Sequence, residues 1–445
     1  MKINVIGTGY VGLVSGVCLA AKGHIVKCFD SNLEIIETLE KGKCHIYEKD
    51  LEKLFIEYSE NLTFEVLDSS SEKKLLDCNV ILIAVGTPTV SKKIDLSQIK
   101  EASKKIGKLI KTHNKFISII VKSTVIPGTT DTVVKNIIEN YSGKKIGEFG
   151  LGMNPEFLRE GNAVEDFMNP DRIVFGFEEK KTLEYLHEIY KPWDVDKIAV
   201  NTRSAEMIKY VNNSLLATQI STVNEYSNIA KTIGGIDFNT VMEAIHLDKR
   251  WNPIDKKTGK RINPGIIDYL KPGCGYGGSC FPKDVMALKA LSRKGGLNPL
   301  ILDSVIKVND FQPKAILKYL EESIGSLNNK NILVLGLAFK PDTDDVRESV
   351  SIKIINHLFN KKCNITAHDP VSINNAKKRI NFFVKYVKDW KKELVKNDII
   401  IIATNWSDYK DLKYLDKNLK GKILFDTRSL FKKGEFNNIN YLNIN

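Results

Sequence analysis

Short apolar runs alternate with longer amphipathic stretches along the first 120 residues. The strand-like runs cover residues 3–7, 25–30, 80–85 and 116–121, and each ends in glycines, an acid or a small polar turn. Residues 96–111 carry the apolar spacing of a helix. Strands that alternate with helices in this way predict a parallel sheet that is covered by helices on both faces.

The same alternation returns near the end of the chain. Strand-like runs cover residues 331–336, 364–368, 398–404 and 422–426, and Gly336 repeats the first glycine of the opening turn without the later ones. The pattern therefore predicts an α/β fold with two Rossmann-like, doubly wound parallel-sheet domains. Only the first of them retains a complete dinucleotide loop.

A long helical segment is predicted between the two domains, over residues 202–233. Its apolar residues recur at helical intervals, and Gly234 and Gly235 mark its end. A helix of that length spans about 45 Å, enough to bridge two domains or to supply a dimer interface. Residues 250–278 are rich in Pro, Gly and charge, and a loop-dominated segment of this length is often functional.

Composition narrows the class of protein. The chain has 445 residues, of which 42% are hydrophobic and 27% charged, which is typical of a soluble globular protein of two or three domains. No apolar run reaches membrane-spanning length, and the N-terminus reads as a strand and not as a signal peptide, so we expect a cytoplasmic protein. The seven cysteines are dispersed, which favours reduced thiols and gives no metal-site spacing. The net charge of +12 is spread along the chain without a dense basic tract, so we expect no nucleic-acid partner.

The cofactor prediction rests on the turn after the first strand. Gly7, Gly9 and Gly12 fit the pattern G-x-G-x-x-G, with Tyr10 and Val11 between them, and Asp30 ends the second strand. The glycines allow a tight turn, close approach to a pyrophosphate and close helix packing, while Asp30 suits ribose hydroxyls. A carboxylate at that position repels a 2′-phosphate, so NAD is favoured over NADP.

Two further turns follow the third and fourth strands. Thr87 and Pro88 lie in the first of these turns and Thr124 in the second. Ligands of open α/β sheets bind beyond the carboxyl ends of the strands, so these residues are candidate walls for the nicotinamide. Ordinary turn chemistry is the alternative.

The segment around Cys280 carries the candidate nucleophile. Glycines precede this cysteine, and Lys283 and Asp284 follow it, so the thiol lies in a polar, flexible setting where a nearby cation favours the thiolate. A small buried residue beside a glycine turn is the alternative. Elsewhere, Glu156 and Glu160 would share one face if their segment were helical, as would Lys209 and Asn213; a solvated surface is the alternative for both pairs.

Three segments resemble the hallmark motifs of the UDP-glucose/GDP-mannose dehydrogenase family, most closely those of the members that act on UDP-glucose. They cover residues 154–161, 277–284 and 339–349, and the resemblance extends from the glycine loop to Arg347 and beyond. It implies an NAD-binding domain over residues 1–200, a central helical and dimerisation domain over 201–315 and a UDP-sugar-binding domain over 316–445. It also implies a role in polysaccharide biosynthesis, and the long helix leads us to expect a homodimer that pairs through it.

The resemblance implies a reaction as well: a four-electron oxidation of UDP-glucose to UDP-glucuronate with two NAD molecules used in turn. Cys280 would form a thiohemiacetal and then a thioester, which water hydrolyses. Glu160 would activate or position that water with support from Thr124. Lys209 would stabilise oxyanions, Asp284 would assist proton transfer, and Asn213 would hold the oxygen of the intermediate.

The resemblance assigns binding roles to further residues. Lys340 and Arg347 would meet the pyrophosphate, because arginine can contact two phosphate oxygens at once. An ion-pair network with the acids at 342, 344, 345 and 348 is the alternative for both. Lys283 would contact the cofactor, and the residues that would contact the substrate are Glu156, Phe157, Leu158, Lys209, Asn213, Gly277, Lys340 and Arg347.

Alternatives to this function remain at two levels. The same chemistry on GDP-mannose or a UDP-N-acetylhexosamine is the nearer one, because the loop over residues 250–274 is longer than in many UDP-glucose enzymes. Within that loop Arg261 is the nearest candidate for a sugar contact, without a clean match in spacing. A non-enzymatic dinucleotide-binding protein is disfavoured, because Cys280, Lys209, Glu160 and Asp284 are all present.

Overall fold

The computed structural model describes residues 1–90 and 93–444. The chain folds into two compact units, Met1–Asn212 and Asn213–Asn445. The three-part division over residues 1–200, 201–315 and 316–445 stays a prediction.

The described strands of the first unit alternate with helices, as the sequence predicts. The strands are β1 (Lys2–Ile6), β2 (Ile25–Asp30), β3 (Leu62–Val66), β4 (Val80–Ile83), β5 (Thr89–Val90), β6 (Lys93–Ile94), β7 (Ser118–Val121), β8 (Gly150–Met153), β9 (Ile173–Phe177) and β10 (Lys197–Val200). The helices are α1 (Tyr10–Ala21), α2 (Leu33–Glu40), α3 (Leu51–Glu57), α4 (Ser97–Ile110), α5 (Lys135–Ser142), α6 (Ala163–Met168), α7 (Lys180–Ile189) and α8 (Thr202–Ile233), the last of which continues into the second unit.

The main sheet of this unit has the strand order β10-β9-β8-β7-β4-β1-β2-β3. The strands from β8 to β3 are parallel, whereas β9 pairs with β8 in the antiparallel sense and so reverses β9 and β10. Successive residues of β4 contribute to two different apolar clusters, Val80 and Leu82 to one and Ile81 and Ile83 to the other. Because alternate side chains of a strand point to opposite faces, the sheet is buried on both sides.

The second unit contains a smaller sheet. Its described strands are β11 (Asn331–Leu335), β12 (Asn364–His368), β13 (Lys385–Tyr386), β14 (Ile399–Ile402), β15 (Ile423–Asp426) and β16 (Asn440–Asn443), in the order β13-β12-β11-β14-β15-β16. All of these pairings are parallel. Its helices are α9 (Phe238–His246), α10 (Phe281–Lys294), α11 (Leu300–Ile324), α12 (Val350–Asn360), α13 (Ile373–Lys377) and α14 (Leu412–Leu415). The predicted class of two parallel-sheet α/β domains with a long central helix is confirmed.

The turn after β11 resembles the glycine turn of the first unit but does not open a helix. Gly336 has a φ of +97°, and a Cβ there would lie 2.4 Å from the Cβ of Thr404, so packing alone requires glycine. The next helix begins only at Val350, and the Asp369 carboxylate accepts the amides of Leu337 and Ala338 at 2.7 and 3.1 Å. The second unit therefore has the glycine turn after its β11 strand, but no helix begins directly after that turn as α1 does in the first unit. Among the described residues, no helix is both long and apolar enough to cross a membrane.

The loop after β7 is fixed by a buried carboxylate on α8. Glu206 is fully buried, and it accepts the amides of Gly128 and Thr130 at 2.6 and 2.8 Å. Gly128 has a φ of +92° and precedes the π-helical turn Thr129–Val134. Burial raises the pKa of Glu206 to about 7, and the nearby Asp131 adds to the shift.

Replacement of Glu206 by Gln is expected to remove a pH dependence of stability. The pKa of Glu206 is about 7 in the folded chain, against about 4.3 unfolded, so its contribution is present below the unfolded value and lost as pH rises through 7. The free energy of unfolding of the wild type, relative to Glu206→Gln, should fall by about 3 kcal/mol between pH 4.5 and 7.5. Urea unfolding at several pH values measures this. Glu184→Gln, at an exposed position on α7, is the control: the free energy of unfolding of the wild type relative to this variant should not change with pH.

Candidate active site

The nucleotide loop follows β1 and opens α1. A Cβ at Gly12 would lie 1.9 Å from the carbonyl oxygen of Gly7, and a Cβ at Gly7, where φ is +94°, would lie 2.8 Å from the carbonyl oxygen of Ala84. Glycine at both positions is therefore required by the protein's own packing. Gly9 differs, because a Cβ there meets nothing within 4 Å. The space beside Gly9, at the N-terminus of α1, is left for a ligand, and a pyrophosphate suits it.

Asp30 lies beside this loop at the end of β2. One carboxylate oxygen accepts the Thr8 amide and hydroxyl at 2.7 and 2.8 Å, and the other accepts the Asn32 amide at 2.9 Å. The side chain is only half-buried, as are Tyr10 and Val11. The loop and this carboxylate together fit the adenosine half of NAD.

The turns that follow β4 and β7 are tied together. The Thr87 hydroxyl donates to the carbonyl oxygen of Thr124 at 2.8 Å, and the Ser123 hydroxyl donates to that of Val85 at 2.6 Å. Pro88 is exposed, and Thr87 and Thr124 are half-buried. The three residues predicted to bound the nicotinamide therefore stand at the carboxyl ends of two adjacent parallel strands.

Glu156 is the centre of a buried polar cluster. Its carboxylate contacts the Lys209 ammonium at 3.0 Å and accepts the Thr124 hydroxyl at 3.1 Å and the Leu158 amide at 2.8 Å. Burial acts to raise the pKa of Glu156, but Lys209 and these hydrogen bonds outweigh it and hold the pKa below its usual value. The Lys209 ammonium also lies 5.5 Å from the ring centroid of Phe157. Three predicted site residues, Thr124, Glu156 and Lys209, are thus brought together.

The segment from Asn154 to Gly161 is not helical, so the shared helix face considered for Glu156 and Glu160 is wrong. The chain leaves β8 at Met153 and enters α6 only at Ala163. Pro155 has no amide proton to donate, and the Glu156 side chain turns inward to Lys209 and to the Leu158 amide. Glu160 is half-buried and directly precedes Gly161, whose φ is +85°.

A buried lysine beside this cluster was missed by the sequence reasoning. The Lys122 ammonium donates to the side-chain oxygen of Asn154 at 2.8 Å and to the Tyr190 hydroxyl at 3.4 Å. Burial lowers the pKa of Lys122 to about 8, while Glu156 opposes the shift. The available indication was a lysine directly after the three apolar residues Ile119, Ile120 and Val121 of β7.

In the second unit, Cys280 is the N-cap residue of α10, with Pro282 in the first turn. The Asp284 amide donates to the Cys280 carbonyl at 2.9 Å, and the Ser279 hydroxyl lies 3.6 Å from the sulfur. The side chain is half-buried, unlike the fully buried Cys274 of the same loop. A helix N-terminus stabilises negative charge, so this position favours a thiolate.

One turn further along α10, Asp284 is fully buried between two partners. Its carboxylate accepts the Asn213 side-chain amide at 2.7 Å and contacts the Lys283 ammonium at 2.6 Å. Asn213, Lys283 and Asp284, three predicted site residues, therefore form one hydrogen-bonded group that begins three residues after Cys280 on α10 and reaches α8 at Asn213. The hydrogen bond to Asp284 fixes the orientation of the Asn213 amide.

The cysteine loop packs directly on the loop that follows β11. A Cβ at Gly277 would lie 2.4 Å from the Glu348 carbonyl oxygen, and the Gly278 amide donates to the Arg347 carbonyl at 2.9 Å. On the other side, the Asn309 side chain accepts the Tyr276 amide at 2.8 Å and donates to its carbonyl at 3.0 Å. Asn309 was missed, because a single polar residue in a helix gives no pattern.

Lys340 and Arg347 lie in that same loop after β11. The Arg347 guanidinium contacts the Asp345 carboxylate at 2.8 Å, which is one pair of the ion-pair network considered as the alternative. Arg347 keeps half of its side chain exposed, and the Lys340 ammonium lies 5.7 Å from the Phe339 ring centroid. Their pyrophosphate contacts stay a prediction. Within residues 1–90 and 93–444, no three His, Cys, Asp or Glu side chains cluster as metal ligands would.

Three family models match consecutive parts of the chain. The NAD-binding domain of the UDP-glucose/GDP-mannose dehydrogenase family matches residues 1–194, its central domain residues 203–311 and its UDP-binding domain residues 333–433. The chain belongs to the UDP-glucose/GDP-mannose dehydrogenase family. The predictions of this family, of NAD as cofactor and of an NAD-dependent nucleotide-sugar dehydrogenase are confirmed.

Individual relatives cover nearly all of the dehydrogenase. UDP-glucose 6-dehydrogenase YwqF of Bacillus subtilis is 37% identical, with 98% of this chain and 95% of the relative aligned. UDP-glucose 6-dehydrogenase AglM of Haloferax volcanii is 35% identical, with 98% of each aligned. Among solved structures, a UDP-glucose dehydrogenase from the archaeon Pyrobaculum islandicum matches with a TM-score of 0.88 and 37% identity, over 100% of this chain and 97% of that one.

Gly9 and Gly12 are glycines for different reasons, so alanine at the two positions should affect different properties of the protein. Gly9→Ala should fold like the wild type and lose at least tenfold, about 1.4 kcal/mol, in NAD affinity, because the added methyl group enters the space left for the ligand. Gly12→Ala should lose about 1–3 kcal/mol of stability, because its Cβ overlaps the Gly7 carbonyl.

Calorimetric titration with NAD and thermal unfolding measure these two effects. An unchanged NAD affinity in a folded Gly9→Ala protein would show that the cofactor is bound elsewhere.

Proposed function

We propose that this dehydrogenase oxidises UDP-glucose to UDP-glucuronate in two successive two-electron steps, with Cys280 as the covalent nucleophile. The position of Cys280 carries the proposal: the thiol stands at the N-terminus of α10, one turn before the buried Asp284 with its Asn213 and Lys283 partners. The substrate comes from the near full-length similarity to relatives that are named UDP-glucose 6-dehydrogenases.

The bound NAD supplies the hydride acceptor for each of the two oxidations of the sugar C6 carbon. Between them, the Cys280 thiolate adds to the aldehyde carbon, an S–C bond forms, and the oxyanion takes a proton to give a thiohemiacetal. Loss of a hydride from that carbon to NAD and of the hydroxyl proton to a neighbouring base leaves an acyl thioester. Water then adds to the acyl carbon and gives up its two protons to neighbouring bases and solvent, the S–C bond breaks, and the carboxylate and the thiolate separate.

The remaining polar residues support these steps. We propose that Lys209 stabilises the oxyanions, since its ammonium is held in place by Glu156. Asn213 holds the oxygen of the intermediate, and Asp284, which orients the Asn213 amide, assists proton transfer. Glu160 positions the hydrolytic water with support from Thr124.

Binding of the nucleotide is assigned to the loop after β11. Lys340 and Arg347 provide two cations for the pyrophosphate. Gly277 packs on the same loop, so this loop would contact both the phosphates and the Cys280 segment. Glu156, Phe157 and Leu158 are proposed to contact the sugar nucleotide, and Lys283 the cofactor. The segment over residues 250–274 contributes to the choice of sugar.

We further propose that the chain forms a homodimer through helices of the second unit. Large apolar side chains on α8 and α11 are exposed in the single chain, among them Ile233 at 68%, Leu300 at 69% and Ile301 at 69%. A second copy that buries these side chains explains their exposure. Sedimentation of the purified chain should give a dimer, and Leu300→Glu with Ile301→Glu should give a monomer.

Mixing the purified protein with NAD and UDP-glucose should yield two NADH per sugar. Cys280→Ser should not complete the second oxidation, because the hydroxyl is a far weaker nucleophile than a thiolate. Cys44→Ser, at another half-buried cysteine, is the matched control and should keep the wild-type stoichiometry.

The same absorbance assay with a panel of nucleotide sugars separates the alternatives. Turnover of GDP-mannose or a UDP-N-acetylhexosamine alone would keep the mechanism and overturn the substrate. A wild-type rate in Cys280→Ser would overturn the covalent route.

A further inference from the structure

Glu48 makes contacts that none of the roles proposed above explains. It lies in the loop between α2 and α3, and only 7% of the residue is exposed. Its carboxylate accepts the amides of Gly161 and Ala163 at 2.7 and 2.9 Å and the hydroxyl of Tyr10. These donors are 113, 115 and 38 residues away along the chain. One buried side chain thus joins three separate segments.

Two of these segments carry parts of the proposed site. Tyr10 is the first residue of α1 and directly follows Gly9 of the nucleotide loop. Gly161, with its φ of +85°, directly follows Glu160, and Ala163 begins α6. Glu160 is close enough to the Tyr10 phenol to raise its pKa by charge repulsion. The nucleotide loop and the backbone of Glu160 are therefore held by the same carboxylate.

The chemistry of these contacts makes the link strong. A carboxylate that accepts backbone amides forms charge-assisted hydrogen bonds, which are about twice as strong as neutral ones. Burial and the hydrogen bond to Glu48 raise the pKa of Tyr10 well above its ordinary value, so the phenol stays protonated and donates at any physiological pH. Both oxygens of Glu48 are used, one by Ala163 and the other by Gly161 and Tyr10.

We propose that Glu48 is a positioning residue that fixes Glu160 in register with the NAD-binding loop. It does so through the amides on either side of Asn162 and through Tyr10. The catalytic part of this proposal rests on the role proposed above for Glu160. The hydrogen bonds from Gly161, Ala163 and Tyr10 to Glu48 do not depend on which substrate is bound. Glu48 contributes to catalysis by holding the backbone of Glu160 still, because small displacements of a reacting group cost large factors in rate.

The test uses Glu48→Gln and Tyr10→Phe in the full-length protein. Gln keeps the size of Glu48 and cannot accept both amides equally, and Phe removes only the phenol hydroxyl. Glu52→Gln, an exposed substitution on the adjacent α3, is the matched control. Amide hydrogen exchange of the 158–168 segment and the steady-state kcat and KM for UDP-glucose and NAD are measured for each variant.

Glu48→Gln should raise amide exchange at Gly161 and Ala163 by about tenfold or more, because hydrogen bonds to charged groups are lost. It should lower kcat by about ten- to a hundredfold, with the KM for UDP-glucose changed less than threefold. Tyr10→Phe should give a smaller change of the same kind. The control variant should match the wild type in both measurements.

Two results would overturn the proposal: unchanged exchange at 161–163 in Glu48→Gln, or raised exchange with an unchanged kcat in folded protein. The second would leave Glu48 a stabilising contact only. A wild type that is inactive on UDP-glucose would contradict the proposed function instead, and the exchange measurement would still decide whether Glu48 fixes this segment.

Discussion

Backbone amides in the loops that follow the parallel strands need acceptors that the sheet does not provide, and buried or half-buried carboxylates accept them. Asp30 accepts the Thr8 amide after β1, Glu206 holds the loop after β7, and Glu48 holds the turn that follows Glu160. Asp369 does the same after β11 in the second unit. An unpaired buried amide costs about 1–3 kcal/mol, so each of these acids stabilises the conformation of the loop whose amides it accepts.

The carboxylates that accept these loop amides differ between the two units in how much of a ligand they could also contact. Asp30 is half-buried beside the open space at Gly9, so its carboxylate can also meet the ribose of a nucleotide. Asp369 is 2% exposed and accepts five donors, which leaves it no capacity for a ligand. The different burial of these two acids, and not the topology that the units share, is consistent with a dinucleotide loop in the first unit alone. The second unit instead packs its long loop after β11 against the Cys280 loop.

Much of the fold could be predicted from the sequence, because apolar periodicity and glycine placement act locally. The strands at residues 25–30 and 364–368 and the long helix over residues 202–233 have the predicted bounds. The reversal of β9 and β10 could not be predicted, since apolar runs do not encode strand direction. The helix considered for Glu156 and Glu160 failed because a long-range pair with Lys209 outweighs local spacing. The roles of Glu48, Lys122 and Asn309 could not be predicted either, because their hydrogen-bond partners lie far away in the sequence.

In the proposed reaction Cys280 forms an acyl thioester with the oxidised sugar. Intact-protein mass spectrometry of Glu160→Gln, mixed with NAD and UDP-glucose, tests it directly, because slowed hydrolysis should let the thioester accumulate. We expect a mass increase of one UDP-glucuronyl group, which peptide digestion should map to Cys280. Turnover without any adduct in this variant, or an adduct on a different cysteine, would contradict it.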